Sequence, residues 1–485
     1  MRKKIVYSLM IFLAAGLLFT ACGSSNGNDE PPANDYEEVY LPCPPEEDHI
    51  EEPPPTPPPS LVLASPEGYA GFPSLHLVSE LDPFAVERSF WHDGAAAVWG
   101  TGDEYNFENV PVRIRGRGNS TWVRGTEKRP LRLRFPEARR MFGSEYAHRD
   151  WILIANLFDP SLIRNYSAKY LAGLLDNLHF TPMSLFVHLY INGEYWGVYE
   201  FTEERDPSPG RGLLLFDPDP TISEYMFELD GHLLGWRSDE FVEDEDFFVA
   251  GEGDAARAYD IRFPRQRDWD GHLEYLSDFV RDADEAINSR DFEAIARVID
   301  IPSFVDFYLV QELTKNIDVG RFSVFMTLQG QGDERRIHFG PVWDFDRSAG
   351  NTLYWTAPQF GHASVRNNWF RNMMAVPEIF DIVAERWNEV KDGPIRQMIN
   401  SVDYLTTRYE ESFLRNFYRH DHILGAEYPY PRWFVMLPKE TREIDTHQGQ
   451  VEYLLNWFEQ RVEWLDDFYN RRRDSINYWW AGVIE

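Results

Sequence analysis

Hydrophobic and polar positions follow different periods in the two halves of the chain. In the first half, short stretches alternate apolar and polar residues, which is typical of half-buried β-strands. Residues 131–135 are the clearest case, because leucines and a phenylalanine alternate with arginines. Similar patterns predict strands at 75–78, 110–115, 151–154, 185–189 and 198–202. Asn192-Gly193 favours a tight hairpin between the last two strands, and Asp159-Pro160-Ser161 introduces a predicted helix.

Helical spacing dominates the second half. Apolar residues that recur every three or four positions predict helices near 270–288, 291–299, 303–314, 377–415 and 448–472. Ser303-x-x-Asp306 resembles a capping box at the start of the third of these helices. Shorter strands are predicted at 225–229, 322–328 and 335–339. A sheet-rich first half and a helix-rich second half predict an α+β fold with two lobes and a cleft between them.

Residues 1–60 differ in composition from the rest of the chain. Basic residues at the start precede an apolar stretch at 5–19, which is short for a membrane span. Residues 19–23 resemble a lipobox, so we expect a lipoprotein signal peptide at 1–21 that is cleaved before a lipid-bearing Cys22. A plain secretory signal is the alternative. Acidic residues and prolines dominate 22–60, which predicts a disordered linker before a folded domain at 61–485.

Composition and charge limit the classes of partner. The chain has 485 residues, of which 43% are hydrophobic and 15% aromatic, enough for a large folded core. Its formal net charge of -33 disfavours nucleic acids and anionic lipid surfaces, because like charges repel. Cationic substrates and divalent metal ions fit this charge better. Cys43 is the only cysteine besides Cys22, so a disulfide after residue 61 is excluded.

A glycine-containing turn with basic neighbours lies in the first half. Residues 115–118 read Arg-Gly-Arg-Gly, and Lys128 follows before the strand at 131–135. In that strand Arg132 and Arg134 lie on the face opposite the apolar residues. Backbone amides of such a turn, together with cations, are suited to hold phosphate groups. The turn lacks the Gly-Lys-Ser/Thr ending of a P-loop, so an ordinary hairpin with solvated arginines is the alternative.

Three carboxylates lie close together in the stretch 316–347. Asp318 comes directly after the predicted helix at 303–314, and Asp344 and Asp346 follow the next predicted hairpin. Bulky apolar neighbours make an isolated charge costly here, so a metal ion, a cation or a hydrogen bond must compensate each acid. Cations on the sheet side of a cleft and acids on the helical side are the parts that phosphoryl transfer requires.

Several sequence blocks occur together, at 115–122, 128–130, 151–165, 190–203, 316–318 and 343–346. In this order they resemble the spore-coat CotH protein kinase family, over roughly residues 70 to 470. The resemblance implies a two-lobed atypical protein kinase-like fold, with a β-rich N-terminal lobe at about 61–205 and a mainly helical C-terminal lobe at about 206–485. It also implies binding of ATP with Mg²⁺ or Mn²⁺, and phosphorylation of Ser or Thr in surface or coat proteins.

The resemblance assigns roles to individual residues. Asp318 corresponds to the catalytic Asp, and Asp344, with Asp346 beside it, to the metal ligand. The candidate cations for the nucleotide phosphates are Arg117, Lys128, Arg132 and Arg134. Glu203 matches a hinge position beside the adenine. Asn-Ile-Asp and Asp-Phe-Asp replace the His-Arg-Asp and Asp-Phe-Gly triplets of ordinary kinases, and Ser323 stands where a second metal ligand is usual.

Other functions fit parts of the sequence. Abundant aromatic residues and paired acids also suit a surface glycan-binding protein or a glycosidase. A kinase-like fold without catalysis, serving as a structural or adhesion module, is a further alternative. The three acids, the hairpin between them and the family blocks together favour a membrane-anchored, extracytoplasmic kinase.

Overall fold

Seven strands close into a barrel in the computed structural model. They are β1 (Ser74–Ser79), β2 (His92–Trp99), β3 (Phe107–Gly116), β4 (Leu131–Arg139), β5 (His148–Ile154), β6 (Ser184–Ile191) and β7 (Glu194–Glu203). Around the barrel the order is β1-β2-β3-β4-β5-β7-β6, and β1 closes the ring by pairing parallel to β6. Helix α1 (Arg164–Gly173) lies between β5 and β6 in the chain.

The structure describes residues 71–80, 88–101, 105–118, 121, 127–206, 214–234, 247–251, 256–264, 271–352, 356–424 and 439–471. All of them lie in one unit, Pro54–Glu485. The predicted signal peptide, the lipidated Cys22 and the predicted linker lie outside the described residues. Among the helices that are described, none combines the length and the apolar character needed to cross a membrane.

A second sheet of five antiparallel strands follows the barrel. Its strands are β8 (Tyr225–Leu229), β9 (Phe247–Ala250), β10 (Arg257–Phe263), β11 (Val324–Gln329) and β12 (Arg336–Phe339). Their order across the sheet is β12-β11-β8-β10-β9. The hairpin β11-β12 therefore joins a sheet whose other strands come from earlier in the chain, and β11 pairs directly with β8.

The remaining helices all follow β10. They are α2 (His272–Ser289), α3 (Phe292–Ala296), α4 (Ile301–Thr314), α5 (Asn368–Met374), α6 (Pro377–Val390), α7 (Arg396–Arg408), α8 (Glu410–Arg419), α9 (Lys439–Arg442) and α10 (His447–Arg471). Helix α4 is buried on nearly every face, in keeping with its almost continuous apolar sequence. It ends at Thr314 with Lys315 as its C-cap, and a single 3₁₀ turn (Ile317–Gly320) follows.

The start of α4 differs from the predicted capping box. Asp300, rather than Ser303, caps the helix, because its carboxylate accepts the N–H of Ser303 over 2.9 Å. A proline in the first turn, where it costs no hydrogen bond, fits this earlier start. Asp306 is buried within the helix and pairs with Arg386 Nε over 2.8 Å. Its role is an ion pair with α6, not a cap.

Side chains on the two faces of the barrel strands have different surroundings. Leu133, Trp151 and Phe201 belong to the main hydrophobic core. Residues of the opposite face include Ile152, which is paired in register with Arg132 of β4 and Thr202 of β7. Ile152 packs in a separate small cluster with Leu214, Met226, Phe325 and Trp343. This face of the barrel therefore meets the second sheet at β8 and β11.

Helix α8 packs directly onto β7. At Gly197, which has a φ of +110°, a Cβ atom would lie 2.8 Å from Asn416 Oδ1, so only glycine allows this approach. The same Asn416 oxygen accepts the N–H of Val198 over 3.1 Å. The helical part of the chain is thereby fixed to the barrel by a buried asparagine.

The α+β class, the β-rich N-terminal region and the helical C-terminal region are confirmed. Barrel closure was not predicted from the sequence, nor were β2, β9 and β10. The two-lobed, kinase-like arrangement that the family resemblance implies stays a prediction.

Candidate active site

Asp318 lies in the 3₁₀ turn at the end of α4. Asn316 caps this turn, because its Oδ1 accepts the N–H of Asp318 over 3.1 Å. The other end of the same side chain, Nδ2, donates to the Asp344 carbonyl over 3.2 Å. The buried side-chain amide of Asn316 therefore holds the backbone of the Asp318 turn against the backbone at Asp344. In the sequence, Asp318 precedes the β11-β12 hairpin and Asp344 follows it.

Asp344 has a left-handed backbone with a φ of 68°. Asp tolerates this conformation better than most residues, but it is uncommon and is concentrated at functional sites. The side chain of Asp344 is exposed, whereas Asp346 is partly covered. Burial and the charge of Asp344 raise the pKa of Asp346 well above its ordinary value, and Asp318 adds to this rise. Asp344 and Asp318 thus both act on the charge of Asp346.

Contacts from α1 and the segment before it fix the residues around these acids. Asn165 Oδ1 accepts the N–H of Phe345 over 2.6 Å. Arg164 Nε donates to the Ser348 carbonyl over 3.1 Å. Asn351 Nδ2 donates to the carbonyls of Asp346, over 2.6 Å, and Phe158, over 2.7 Å. The acid segment is therefore tied to the barrel side of the molecule on both sides of Asp346.

Three cations surround the Trp343 ring, next to Asp344 in the chain. Lys169 Nζ lies 4.6 Å from the ring centroid. The guanidinium carbons of Arg117 and Arg205 both lie 5.4 Å from it. Arg117 comes from the glycine turn after β3, Lys169 from α1 and Arg205 from the end of β7. Different parts of the barrel region therefore contribute positive charge at one place.

Lys169 forms a buried ion pair with Glu200. Its Nζ donates to Glu200 Oε1 over 2.8 Å and to Thr202 Oγ1 over 3.2 Å. Both partners belong to β7, on the face that looks toward the second sheet. Burial lowers the pKa of Lys169, and the Glu200 carboxylate partly offsets this effect. Asp344 is also close enough to stabilise the ammonium ion.

Arg117 and Glu204 belong to the same charged group. Burial and the nearby Arg205 lower the pKa of Arg117 to about 10, while Glu204 and Asp344 oppose this. Burial also opposes the ionisation of Glu204, but Arg205, Arg132 and Arg117 outweigh it and hold the pKa of Glu204 at about 2. Glu204, just after β7, and Asp344, after β12, thus both stabilise the charge of Arg117.

The strand arginines are engaged with other partners. Arg132 Nε lies 3.2 Å and Arg134 Nε 2.9 Å from the same oxygen of Asp150. Arg132 also lies 3.5 Å from Glu204, which connects it to the Arg117 group. Arg134 instead stacks over Trp91, 4.9 Å from the ring centroid. Of the two predicted strand cations, the structure brings only Arg132 near the charged group.

Glu203 and Lys128 lie on the core side. Glu203 pairs with His148 Nε2 over 3.0 Å and accepts the N–H of Met183 over 2.9 Å. The alternation of side chains along β7 puts Glu203 on the face opposite Glu200 and Thr202. Lys128 is fully buried 5.2 Å from the Tyr199 ring, and burial lowers its pKa to about 7. No acceptor in the described part of the chain reaches Lys128 Nζ.

Sequence reasoning missed Lys169, Glu200 and Arg205. A signal for the first two exists, because each is a charged residue within a stretch that otherwise reads as buried. Lys169 interrupts the apolar side of α1, and Glu200 stands between Tyr199 and Phe201 in β7. Two such residues of opposite charge predict a buried pair, but the sequence does not show that the pair lies beside Trp343.

The acids present the oxygen ligands that Mg²⁺ prefers. Among the described residues, no group of three or more His, Cys, Asp or Glu side chains lies close enough to hold a metal ion. Protein sites for Mg²⁺ next to a nucleotide commonly supply only one or two carboxylates and leave the other positions to phosphates and water. Asp344 and Asp346, whose like charges repel, fit such an incomplete set.

Comparison with known proteins supports the resemblance. The family model for CotH kinase protein matches residues 112–465. No individual curated protein matches the chain. The matched region runs from β3 to α10 and includes every acid and cation around Trp343 described above. This chain belongs to the CotH kinase family.

Proposed function

We propose that the protein transfers the γ-phosphate of ATP to Ser or Thr hydroxyls of other proteins. The observation that carries this proposal is the meeting of two sets of charges at Trp343. Arg117, Lys169 and Arg205 come from the barrel side, and Asp344 with its neighbouring acids from the helical side. Phosphoryl transfer needs little covalent chemistry from the protein, but it needs phosphates neutralised and a hydroxyl oriented.

The acids take separate roles in this proposal. Asp344 and Asp346 would hold Mg²⁺ or Mn²⁺, which supplies positive charge to the phosphate oxygens when bound. Asp318 orients the acceptor hydroxyl and takes its proton, a role that suits its place in a turn fixed by Asn316. The contact of Asn316 with the Asp344 carbonyl keeps the base and the metal ligand in one geometry.

Lys169 and Arg117 are the phosphate-binding cations that fit the geometry best. Both lie at Trp343, and the electrostatic influence of Asp344 reaches both. Arg132 supports Arg117 through Glu204. Lys128 and Arg134 lie further from this group, so we assign them to the stability of the barrel. The buried apolar cluster of Ile152, Leu214, Met226 and Phe325 packs against Trp343 and supports the place of its ring.

The cellular setting is part of the proposal. The predicted signal peptide, the lipidated Cys22 and the acidic linker support an enzyme that is anchored to a membrane outside the cytoplasm. Its substrates are then surface or coat proteins with accessible Ser or Thr residues. The strongly negative net charge favours basic substrate segments. The same charge is the reason to expect no nucleic-acid partner.

Incubation with γ-labelled ATP tests this function. The purified protein, a generic Ser/Thr-rich acceptor and Mg²⁺ should give labelled acceptor or autophosphorylation, and acid hydrolysis should recover phosphoserine or phosphothreonine. The label should disappear when the metal is chelated. ATP that stabilises the protein against heat without any transfer would point to a non-catalytic module instead. Binding to polysaccharide, with no effect of ATP, would support the glycan-binding alternative.

A further inference from the structure

A chain of hydrogen bonds connects Lys169 to the backbone of the acid segment. Lys169 Nζ donates to Glu200 Oε1 over 2.8 Å, and Asn156 Nδ2 donates to Glu200 Oε2 over 3.0 Å. Asn165 Nδ2 donates to Asn156 Oδ1 over 2.8 Å. The N–H of Phe345 donates to Asn165 Oδ1 over 2.6 Å. This chain of hydrogen bonds runs from Lys169 on α1 to the backbone N–H of Phe345, the residue after the exposed Asp344.

Backbone groups fix the direction of the hydrogen bonds made by Asn156 and Asn165. A peptide N–H can only donate, so Phe345 must face the oxygen of Asn165. At the other end, Asn156 Nδ2 also donates to the Leu162 carbonyl over 3.0 Å, and a carbonyl can only accept. Neither side-chain amide can therefore be reversed. The three bonds from Phe345 to Glu200 all point toward Glu200, and aligned hydrogen bonds strengthen one another in a buried site. Lys169 donates to the same carboxylate from the other end.

The members of the chain are buried. Asn156, Asn165, Lys169 and Glu200 are all at most 3% exposed, and Phe345 is fully buried. A buried donor or acceptor that loses its partner costs about 1–3 kcal/mol. A displacement of either end would leave several such groups unpaired at once. The chain therefore favours one placement of Phe345 relative to Lys169 over nearby alternatives.

We propose that Asn156 and Asn165 are positioning residues that couple the place of the Lys169 ammonium to the place of Asp344 and Asp346. The catalytic role of this coupling rests on the proposed function, in which Lys169 meets the phosphates and Asp344 and Asp346 hold the metal ion. The asparagines act through Glu200 and the Phe345 peptide. A phosphate group bound at the cation then orders the metal-binding acids, and a metal bound at the acids orders the cation.

Kinetics of Asn165→Leu test this coupling. The substitution keeps the branched shape of the side chain at a somewhat larger volume and removes both of its hydrogen bonds. We expect kcat/KM for ATP to fall about 10- to 100-fold, as for other groups that orient metal-binding residues, and the Mg²⁺ concentration for half-maximal rate to rise. In combination with Lys169→Met, the loss should be clearly smaller than the product of the two single losses, because the chain is already broken.

Asn416→Leu is the matched control. Asn416 is also a buried asparagine whose Oδ1 accepts a backbone N–H, that of Val198, between the barrel and a later helix. In the described part of the structure, no series of hydrogen bonds connects Asn416 to Asp344 or Asp346. Its substitution should lower the melting temperature but leave kcat/KM and the Mg²⁺ dependence within about twofold of the wild type. Equal kinetic effects of the two variants, or fully multiplicative losses in the double variant, would overturn the proposal.

Hydrogen exchange gives a readout that does not need activity. In Lys169→Met, the peptide that covers Phe345 should exchange faster than in the wild type, because Lys169 and Phe345 are the two ends of the same series of hydrogen bonds. The peptide that covers β12 and the variant Asn416→Leu serve as references for general loosening. Unchanged exchange at Phe345 would contradict the coupling even in an active enzyme. Absent phosphate transfer with faster exchange would instead reject the proposed function and retain the coupling.

Discussion

Trp343 is the residue around which the candidate site is arranged. Lys169 Nζ lies 4.6 Å from its ring, and burial lowers the pKa of this ammonium while Glu200 opposes the effect. A cation that is already desolvated and held by a carboxylate loses little on meeting a phosphate. At the residue scale, we therefore propose Lys169, rather than the more exposed Arg134 that pairs with Asp150, as the phosphate ligand.

Replacement of Lys169 tests this choice. Lys169→Met should weaken ATP binding about 10-fold or more, measured by titration calorimetry with Mg²⁺, because one of the charges that face the phosphates is lost. The single change leaves Glu200 buried without a cation, so Lys169→Met/Glu200→Gln should fold better and show the same loss of affinity. Lys391→Met removes a lysine from a more exposed pair with Asp466 and should leave ATP affinity unchanged. Undiminished affinity in the double variant would exclude Lys169 from the site.

The predicted acids lie in one segment of the chain, whereas the predicted cations lie at different places in the structure. Asp318, Asp344 and Asp346 are recognisable because carboxylates beside bulky apolar residues are costly unless a cation or a metal ion compensates them. Lys128 was predicted from its nearness to a glycine turn, but its side chain points to Tyr199 in the core. For Lys169 the sequence indicates a buried charge in α1, but its partner Glu200 and its place beside Trp343 depend on tertiary contacts that no local pattern encodes.

At the scale of elements, α4 sets the position of the Asp318 turn. Glu312 near its C-terminal end is fully buried and accepts the N–H groups of Ala363, over 3.0 Å, and Ser364, over 3.1 Å. Arg461 of α10 donates to the same carboxylate over 2.8 Å. Burial opposes the ionisation of Glu312, but His362 and Arg461 outweigh it and keep its pKa below the ordinary value. A buried ion pair thus fixes the last turn of α4 to α10.

Removal of this charge should be costly to the fold. Glu312→Gln leaves Arg461 buried without a counter-ion, and we expect the free energy of unfolding to fall by about 3–5 kcal/mol. Glu459→Gln, which removes a charge from the exposed pair with Arg396, should cost less than about 1 kcal/mol. Urea unfolding followed by circular dichroism measures both. Similar losses in the free energy of unfolding for the two variants would show that Glu312 contributes no more to stability than an exposed ion pair.

Elements were more predictable than their assembly. Strands and helices with a clear period, such as β4, β7 and α10, lie close to their predicted places. The capping box failed because Asp300 competes successfully with Ser303 for the start of α4. Strand β2 was missed since its run of alanines gives no alternation, and barrel closure depends on the parallel pairing of β1 with β6, which no local pattern encodes.

At the scale of the whole molecule, buried histidines join distant parts of the chain. His447 at the start of α10 donates from Nε2 to the Ser161 carbonyl over 3.0 Å, beside α1, and stacks on Phe413 of α8. Burial lowers the pKa of His447 to about 4, and that of His76 in β1 also to about 4. Both are neutral in the native protein at neutral pH.

Stability should therefore fall in mildly acidic solution. Above pH 6.5 the histidines are neutral in both states, but between pH 6.5 and about 4 the unfolded chain binds protons that the native protein excludes. For His447 alone this amounts to about 3 kcal/mol at pH 4. His447→Gln keeps an N–H donor without the titration, so its melting temperature should decline less over this range. Parallel declines of the wild type and His447→Gln would contradict the assignment.

The central claim is that Asp318 and Asp344 act together in phosphate transfer, and one comparison tests it most directly. Transfer from γ-labelled ATP is measured for the wild type, Asp318→Asn, Asp344→Asn and the control Asp333→Asn, whose residue is exposed in the β11-β12 turn. We predict that Asp318→Asn and Asp344→Asn lower the rate at least about 100-fold while all four proteins melt at similar temperatures, and that Asp333→Asn keeps the full rate. Transfer that is undiminished in Asp318→Asn and Asp344→Asn would contradict this account of the site.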